Sequence, residues 1–304
     1  MKPDAAFPIS RRNLLNSFGL VGGAQVAPLL NGRAALPAAT VRDRLWLWSH
    51  VAGSYNGMFN LPGNSRMTPA EAAFYMSIPN VFMLHRKGTP EPPLEQFALA
   101  FEPLREVVWG IVGEGGATNT SEREMVLELA LRNPKITGVV MDDFFTGNTE
   151  GKVASLTTDE VQALRKCLAG PSKKLDLWVV LYEYQLNAPI ANHLRFCDVV
   201  QLWTWYGQHL EQLTANFEKA EKLAPGTRIA LGFYWWDFGN KKPLPISAMQ
   251  HQCELGLQWL RQGRIEAMIF CGSWLCDRGL DVVDWTRQWI QRVGGEKLSD
   301  RRRS

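Results

Sequence analysis

Asp142 and Asp143 stand side by side where an apolar run, Ile136-Thr-Gly-Val-Val-Met141, stops, and Phe144 and Phe145 follow them. Adjacent carboxyls oppose each other's ionisation, so one of such a pair can hold a proton near neutral pH and act as a general acid. A second carboxylate, serving as nucleophile or activating a water, completes the machinery for breaking a glycosidic bond. Glu183, at the end of the next apolar run, is the natural candidate for it. A purely structural use is the competing expectation. Asp is a frequent turn former and helix cap, so Asp143 could begin a turn while Asp142 binds backbone, and Glu183 could lie in solvent or pair with Arg86.

Acids this far apart in sequence work together only if a fold gathers the ends of their runs. Eight such runs, rich in aromatic and β-branched residues, cover residues 45–51, 80–85, 106–112, 136–143, 175–184, 198–205, 228–236 and 266–274. They recur at intervals of about thirty residues, the length of a strand-plus-helix unit, and their near-continuous hydrophobicity suits strands buried on both faces. Between them lie helix signals. Thr68-Pro-Ala-Glu71, Ser121-Glu-Arg-Glu124 and Thr157-Thr-Asp-Glu160 read as capping boxes. Leu213, Phe217, Ala220 and Leu223 form an apolar stripe, and residues 255–260 and 282–290 carry the same pattern. Residues 187–196 leave room for a stunted helix only. Eight alternations predict the α/β class and a single (β/α)₈ TIM barrel over residues 40–295. No glycine-rich phosphate fingerprint follows the first run, which argues against an open dinucleotide-binding sheet.

In such a barrel the C-terminal strand ends share one mouth. Gathered there are His50, His85 and Arg86, Glu114, the two aspartates, Tyr182, Glu183 and Tyr184, Trp203 and Trp205, Tyr234, Trp236 and Asp237, and Ser273 with Trp274. Gln201 shares the strand parity of Trp203 and Trp205 and is expected to point inward, toward Glu183 or a sugar hydroxyl. Flat rings suit the apolar C–H faces of sugars, and carboxylates suit hydroxyls and proton transfer. The expected substrate-binding set is His50, His85, Arg86, Gln201, Trp203, Trp205, Tyr234, Trp236, Asp237 and Trp274, around catalytic Asp142, Asp143 and Glu183.

The chain resembles the (β/α)₈ glycoside hydrolases in its strand count and in the acidic end of its fourth strand. The aspartate pair after Val-Val-Met is most similar to that of O-GlcNAc hydrolases. That resemblance implies that Asp142 orients a substrate acetamido group, itself the nucleophile, and that Asp143 is the acid/base. The D-x-x-D-x-D-x-E pattern of chitinases is absent, as is the Asn-Glu pair of the largest retaining clan, so no single family is assigned. Two other readings stay open. His50 and His85 with Asp142 and Glu183 could hold a divalent metal in a barrel hydrolase or isomerase. Alternatively the barrel could bind sugars in its aromatic cup without turnover.

Composition narrows the partners. A formal charge of +3 without a basic, aromatic-interleaved stripe gives no footprint for nucleic acid, and three of the positive charges fall in the tail at Arg301, Arg302 and Arg303. Residues 296–304 are expected to be a basic, disordered tail. Ser10-Arg-Arg-Asn-Leu-Leu15, the weakly apolar residues 18–30 and the alanine-rich residues 34–39 resemble a twin-arginine export signal. The resemblance implies the twin-arginine export machinery as a partner and a periplasmic or secreted location. A disordered basic leader or an uncleaved anchor is the alternative. Asn16, Gln25 and several glycines argue against a stable membrane span. The five cysteines show neither C-x-x-C nor zinc spacing. Cys271 and Cys276 are the nearest pair for a disulfide, packing in the core is the commoner expectation, and no cofactor is implied.

Overall fold

The first run pairs with the last, Leu45 to Trp48 against Met268 to Cys271, and this parallel pairing closes the sheet into a ring. In this computed structural model, which describes residues 39–146, 152–170 and 173–299, the barrel strands are Leu45–Ser49, Asn80–Met83, Glu106–Val112, Ile136–Met141, Asp176–Tyr182, Val199–Trp203, Arg228–Tyr234 and Met268–Cys271. Each is parallel to its neighbours and consecutive strands are adjacent all the way round, so the chain is a TIM barrel. Most of the apolar runs extend past the paired residues at their C-terminal ends. His50, His85, Asp142 and Asp143 therefore lie beyond the ladder, where the mouth is built.

Helices follow strands as the capping signals predict. Thr68 and Thr157 each accept a hydrogen bond from the amide three residues on, and Glu71 and Glu160 each accept one from the amide of the cap, completing both boxes. The third box does not form. Asn119 caps the helix Thr120–Arg132 by accepting from the Glu122 amide at 3.2 Å, so the helix starts before Ser121 could cap it; Asn is as good a cap as Ser. The stunted helix is Ala191–Leu194, and the apolar stripes become Leu213–Leu223, Ile246–Arg261 and Asp281–Val293.

At the termini, the expected tail begins as ordered chain. Val41 donates to the Glu296 carbonyl, the Leu298 amide donates to Ala39, and Arg261 makes a forked pair with Glu296. The rest of the tail, residues 300–304, and the twin-arginine leader up to residue 38 lie outside the described residues. Among those described, no helix is long and apolar enough to cross a membrane, and all five cysteines are free, Cys271 and Cys276 included.

Tryptophans fill the barrel. Trp46 packs on Phe82 and Trp178 with ring centroids 4.9 and 5.7 Å away, and one layer higher Trp48 meets Phe82 at 5.4 Å and Trp203 edge-on at 5.3 Å. Rings this large need gaps opposite them. A Cβ added at Gly232 would fall 1.9 to 2.4 Å from atoms of the Trp203 indole, and one at Gly138 would come within 2.9 Å of Trp178. Gly232→Ala should therefore overpack the layer and cost about 3 kcal/mol, read as a lowered urea midpoint. An unchanged midpoint would mean that the Trp203 ring has room to move.

Candidate active site

The fourth strand places both aspartates by stopping early. Its register against the third strand slips between Gly110 and Val112, and the Asp142 amide donates to the Val112 carbonyl at 3.2 Å. Irregularities of this kind re-aim side chains beside active sites. Asp143 then adopts φ +44°, a left-handed turn conformation that Asp tolerates better than most residues. Side chains alternate only while a strand continues, and here it has ended. Asp142 and Asp143 consequently line one cavity of about 230 Å³ at the barrel mouth, together with Glu114.

The two neighbours have different surroundings. Asp142 is 5% exposed. Burial pushes its carboxyl well above the ordinary range, and the charges of Asp143 and Glu114 push the same way, against an opposing hydrogen bond from the Asp143 backbone. The balance favours its protonated form. Asp143 is held at both oxygens. The Gly115 amide donates to Oδ2 at 2.8 Å, and the Tyr182 hydroxyl donates to Oδ1 at 2.6 Å. Burial and the neighbouring Tyr234, Asp143 and Asp142 raise the Tyr182 phenol well above its usual value, so it stays a donor.

Aromatic rings wall the cavity. Trp203, Trp205, Tyr234 and Trp274 line it as expected, joined by Trp48, Tyr55, Phe59, Tyr182 and Phe238. Tyr55 packs on Trp274 at 4.4 Å, and Trp205 stacks on Phe238 at 5.6 Å. The Trp274 indole N–H is buried and has no hydrogen-bond partner among the described residues. Arg86 sits behind, its guanidinium 4.7 Å from the Tyr55 ring centroid and its Nε 2.7 Å from Glu114.

Other expected site residues go elsewhere. Glu183 turns away from the cavity: its carboxylate accepts from the Trp205 amide at 3.0 Å and lies 2.9 Å from His209 Nδ1. The third carboxyl at the mouth is therefore Glu114, not Glu183, and it is also Arg86's partner. Gln201 points into the barrel, but its carbonyl oxygen takes the Trp203 N–H at 3.2 Å, one layer below the cavity. Nε1 of Trp236 donates to the Phe59 carbonyl and so supports a wall residue, while Asp237 holds the turn at Asn240. His85 accepts from the Trp109 indole at 2.9 Å and meets Glu122 with its other nitrogen. His50 is buried behind Tyr55, 3.3 Å from its hydroxyl. Burial lowers both imidazoles, to about 3 for His50, with Arg86 and His85 adding to the effect, and to about 4 for His85. His50, His85, Asp142 and Glu183 do not converge, and among the described residues no three His, Cys, Asp or Glu side chains are placed to hold a metal.

With this geometry in view, the chain resembles solved barrels in fold. A Bacteroides thetaiotaomicron protein assigned as an alpha-L-fucosidase matches at TM-score 0.54 and 12% identity, over 85% of this chain and 99% of its own. A family 5 glycoside hydrolase from Prevotella bryantii gives 0.44 at 11% identity over 84% and 100%, and 3-dehydroquinate dehydratase from Geobacillus kaustophilus gives 0.45 at 14% over 84% and 96%. No family model matches the chain, and no curated protein matches its sequence. At these identities the likeness is one of architecture.

Glu114, Tyr55 and Tyr182 are the site residues that pattern reading gave no role. Glu114 carried a usable signal, because Gly113-Glu-Gly-Gly116 places an acid in a glycine-rich loop at a strand end. Tyr55 carried none, since it reaches the cavity from an irregular loop.

The raised Asp142 carboxyl has a thermodynamic consequence. Above the unfolded value for Asp, about 4, the unfolded chain releases this proton while the native protein keeps it. Stability therefore falls as pH rises toward the folded value. Asp142→Asn removes that slope, so the variant should match the wild type near pH 3 and exceed it near pH 8 in urea midpoint. Parallel pH profiles would put the Asp142 carboxyl in water.

Proposed function

We propose that the protein is a glycoside hydrolase acting on a saccharide or glycoconjugate at the barrel mouth. One observation carries the reading: a buried carboxyl, whose surroundings favour its protonated form, adjoins a second carboxyl held by two hydrogen bonds in a ring-lined cavity. Asp142 is the general acid that protonates the leaving oxygen. Asp143, oriented by Gly115 and Tyr182, is the carboxylate that stabilises developing positive charge on the sugar or activates the attacking water. This reverses the roles implied by the O-GlcNAc hydrolase resemblance, because burial protects the proton on the first aspartate rather than the second. Glu114, neutralised by Arg86, sets the local field. The fucosidase-like neighbour shares the architecture only, and the assignment rests on this chain's own carboxyls. The twin-arginine resemblance extends the proposal to an exported enzyme.

A panel of aryl glycosides tests the reading. Asp142→Asn and Asp143→Asn should each lower kcat by about 10²- to 10⁴-fold, the usual worth of a positioned acid or base. The Asp142→Asn loss should shrink on a dinitrophenyl glycoside, whose leaving group needs no proton. Tyr182→Phe deletes a hydrogen bond to a charged group and should cost roughly 10- to 100-fold. In the wild type, kcat/KM should fall on the alkaline side as Asp142 loses its proton. Turnover that survives in Asp142→Asn and Asp143→Asn removes the pair from the mechanism, and sugar binding without turnover in the wild type identifies a binding barrel instead.

A further inference from the structure

A second hollow of about 300 Å³ adjoins the mouth cavity, and Asp143, Tyr182 and Trp205 border both. Its own wall is Tyr184, with Gln185 and Thr146 beside it. Tyr184 is 59% exposed, unlike the buried and half-buried rings of the mouth cavity. Its ring lies nearly parallel to that of Tyr182, with planes 5° apart and centroids separated by 5.2 Å. Tyr182 thus backs one face, and the exposed remainder opens toward solvent.

Gln185 does not serve as a ligand hook. Its carbonyl oxygen takes the Tyr182 amide at 2.9 Å and its NH₂ donates to Phe145 at 2.8 Å, so the residue stiffens the wall. Burial, with the charges of Asp143 and Glu183, raises the Tyr184 phenol to about 12, which keeps the ring uncharged. An uncharged, pre-ordered aromatic face beside a carboxylate is suited to stacking on the apolar face of a sugar.

Size and continuity identify the occupant. The mouth cavity is smaller than the roughly 300–1,000 Å³ that hold drug-sized ligands, so it takes a single sugar ring. A ligand that fills both hollows must pass its connecting bond beside Asp143. We infer that the second hollow binds the sugar ring on the leaving-group side of the scissile bond, with Tyr184 as its stacking platform. The substrate is then at least a disaccharide unit. The enclosed cavity takes the ring on which charge develops, and the open hollow takes the ring that departs. This inference rests on the hydrolase reading above.

Binding to the full-length chain tests it without turnover, in the Asp142→Asn background. The probes are methyl glycosides of glucose, galactose, mannose, xylose, fucose and N-acetylglucosamine and their homodisaccharides, titrated by calorimetry. For the sugar that binds, the disaccharide should bind more tightly than the monosaccharide. Adding Tyr184→Ala should cut that advantage by about tenfold, equivalent to about 1.4 kcal/mol, while Tyr184→Phe keeps it. The subsite alone falls if the disaccharide binds and Tyr184→Ala leaves its advantage intact. It also falls if Tyr184→Ala weakens both ligands equally, or if Tyr184→Phe loses as much as Tyr184→Ala. Absence of any sugar binding before Tyr184 is changed overturns the hydrolase reading and the subsite with it.

Discussion

The hydrogen bond from the Asp142 amide to the Val112 carbonyl anchors the end of the fourth strand to the third, and the layout of the mouth depends on that anchor. One more residue in regular register would send Asp142 and Asp143 to opposite faces, because strand side chains alternate. The slip between Gly110 and Val112 and the left-handed Asp143 bring both carboxyls to one cavity instead. The glycine-rich loop after the third strand makes this arrangement feasible. Gly115 offers its amide to Asp143, and a Cβ at Gly116 would approach the Asp143 carbonyl to 2.9 Å.

Two residues of one type thereby acquire different environments. Asp142 is enclosed, and the loss of water around its carboxyl disfavours the charged form. Asp143 receives two directed donors in the same cavity, which fix the orientation of its carboxyl. Neighbouring negative charge reinforces the difference, since an ionised Asp143 makes a second ionisation beside it costlier. The same logic governs acid and base assignment in other paired carboxyl sites.

The barrel core and the cavity wall draw on one set of rings. The layer of Trp46, Phe82 and Trp178 supports Trp48 and Trp203, and Trp203 in turn packs on Tyr234 at 4.8 Å. The column runs from closed core to cavity wall without a break. Glu183, outside the cavity, still contributes by gripping the Trp205 amide and meeting His209, which fixes the ring shared by both hollows. A carboxylate read as catalytic from its position is thus a positioning group. A strand-end acid has two directions to turn, and local sequence does not choose between them.

The sequence by itself determined the architecture and the address of the site. Eight apolar runs at a regular interval with capped helices between them admit few folds other than a barrel, and a barrel sends Asp142, Asp143, Trp203, Trp205, Tyr234 and Trp274 to one mouth. Those inferences survive because periodicity and capping are local properties. Only the tertiary structure decided which acid is buried, that Glu114 and not Glu183 is the third carboxyl lining the cavity, and that His85 and Gln201 bind the indoles of Trp109 and Trp203. Each of those outcomes depends on burial, on a one-residue register slip or on a loop such as that of Tyr55. Such features arise from contacts between segments far apart in the chain, which no local pattern records.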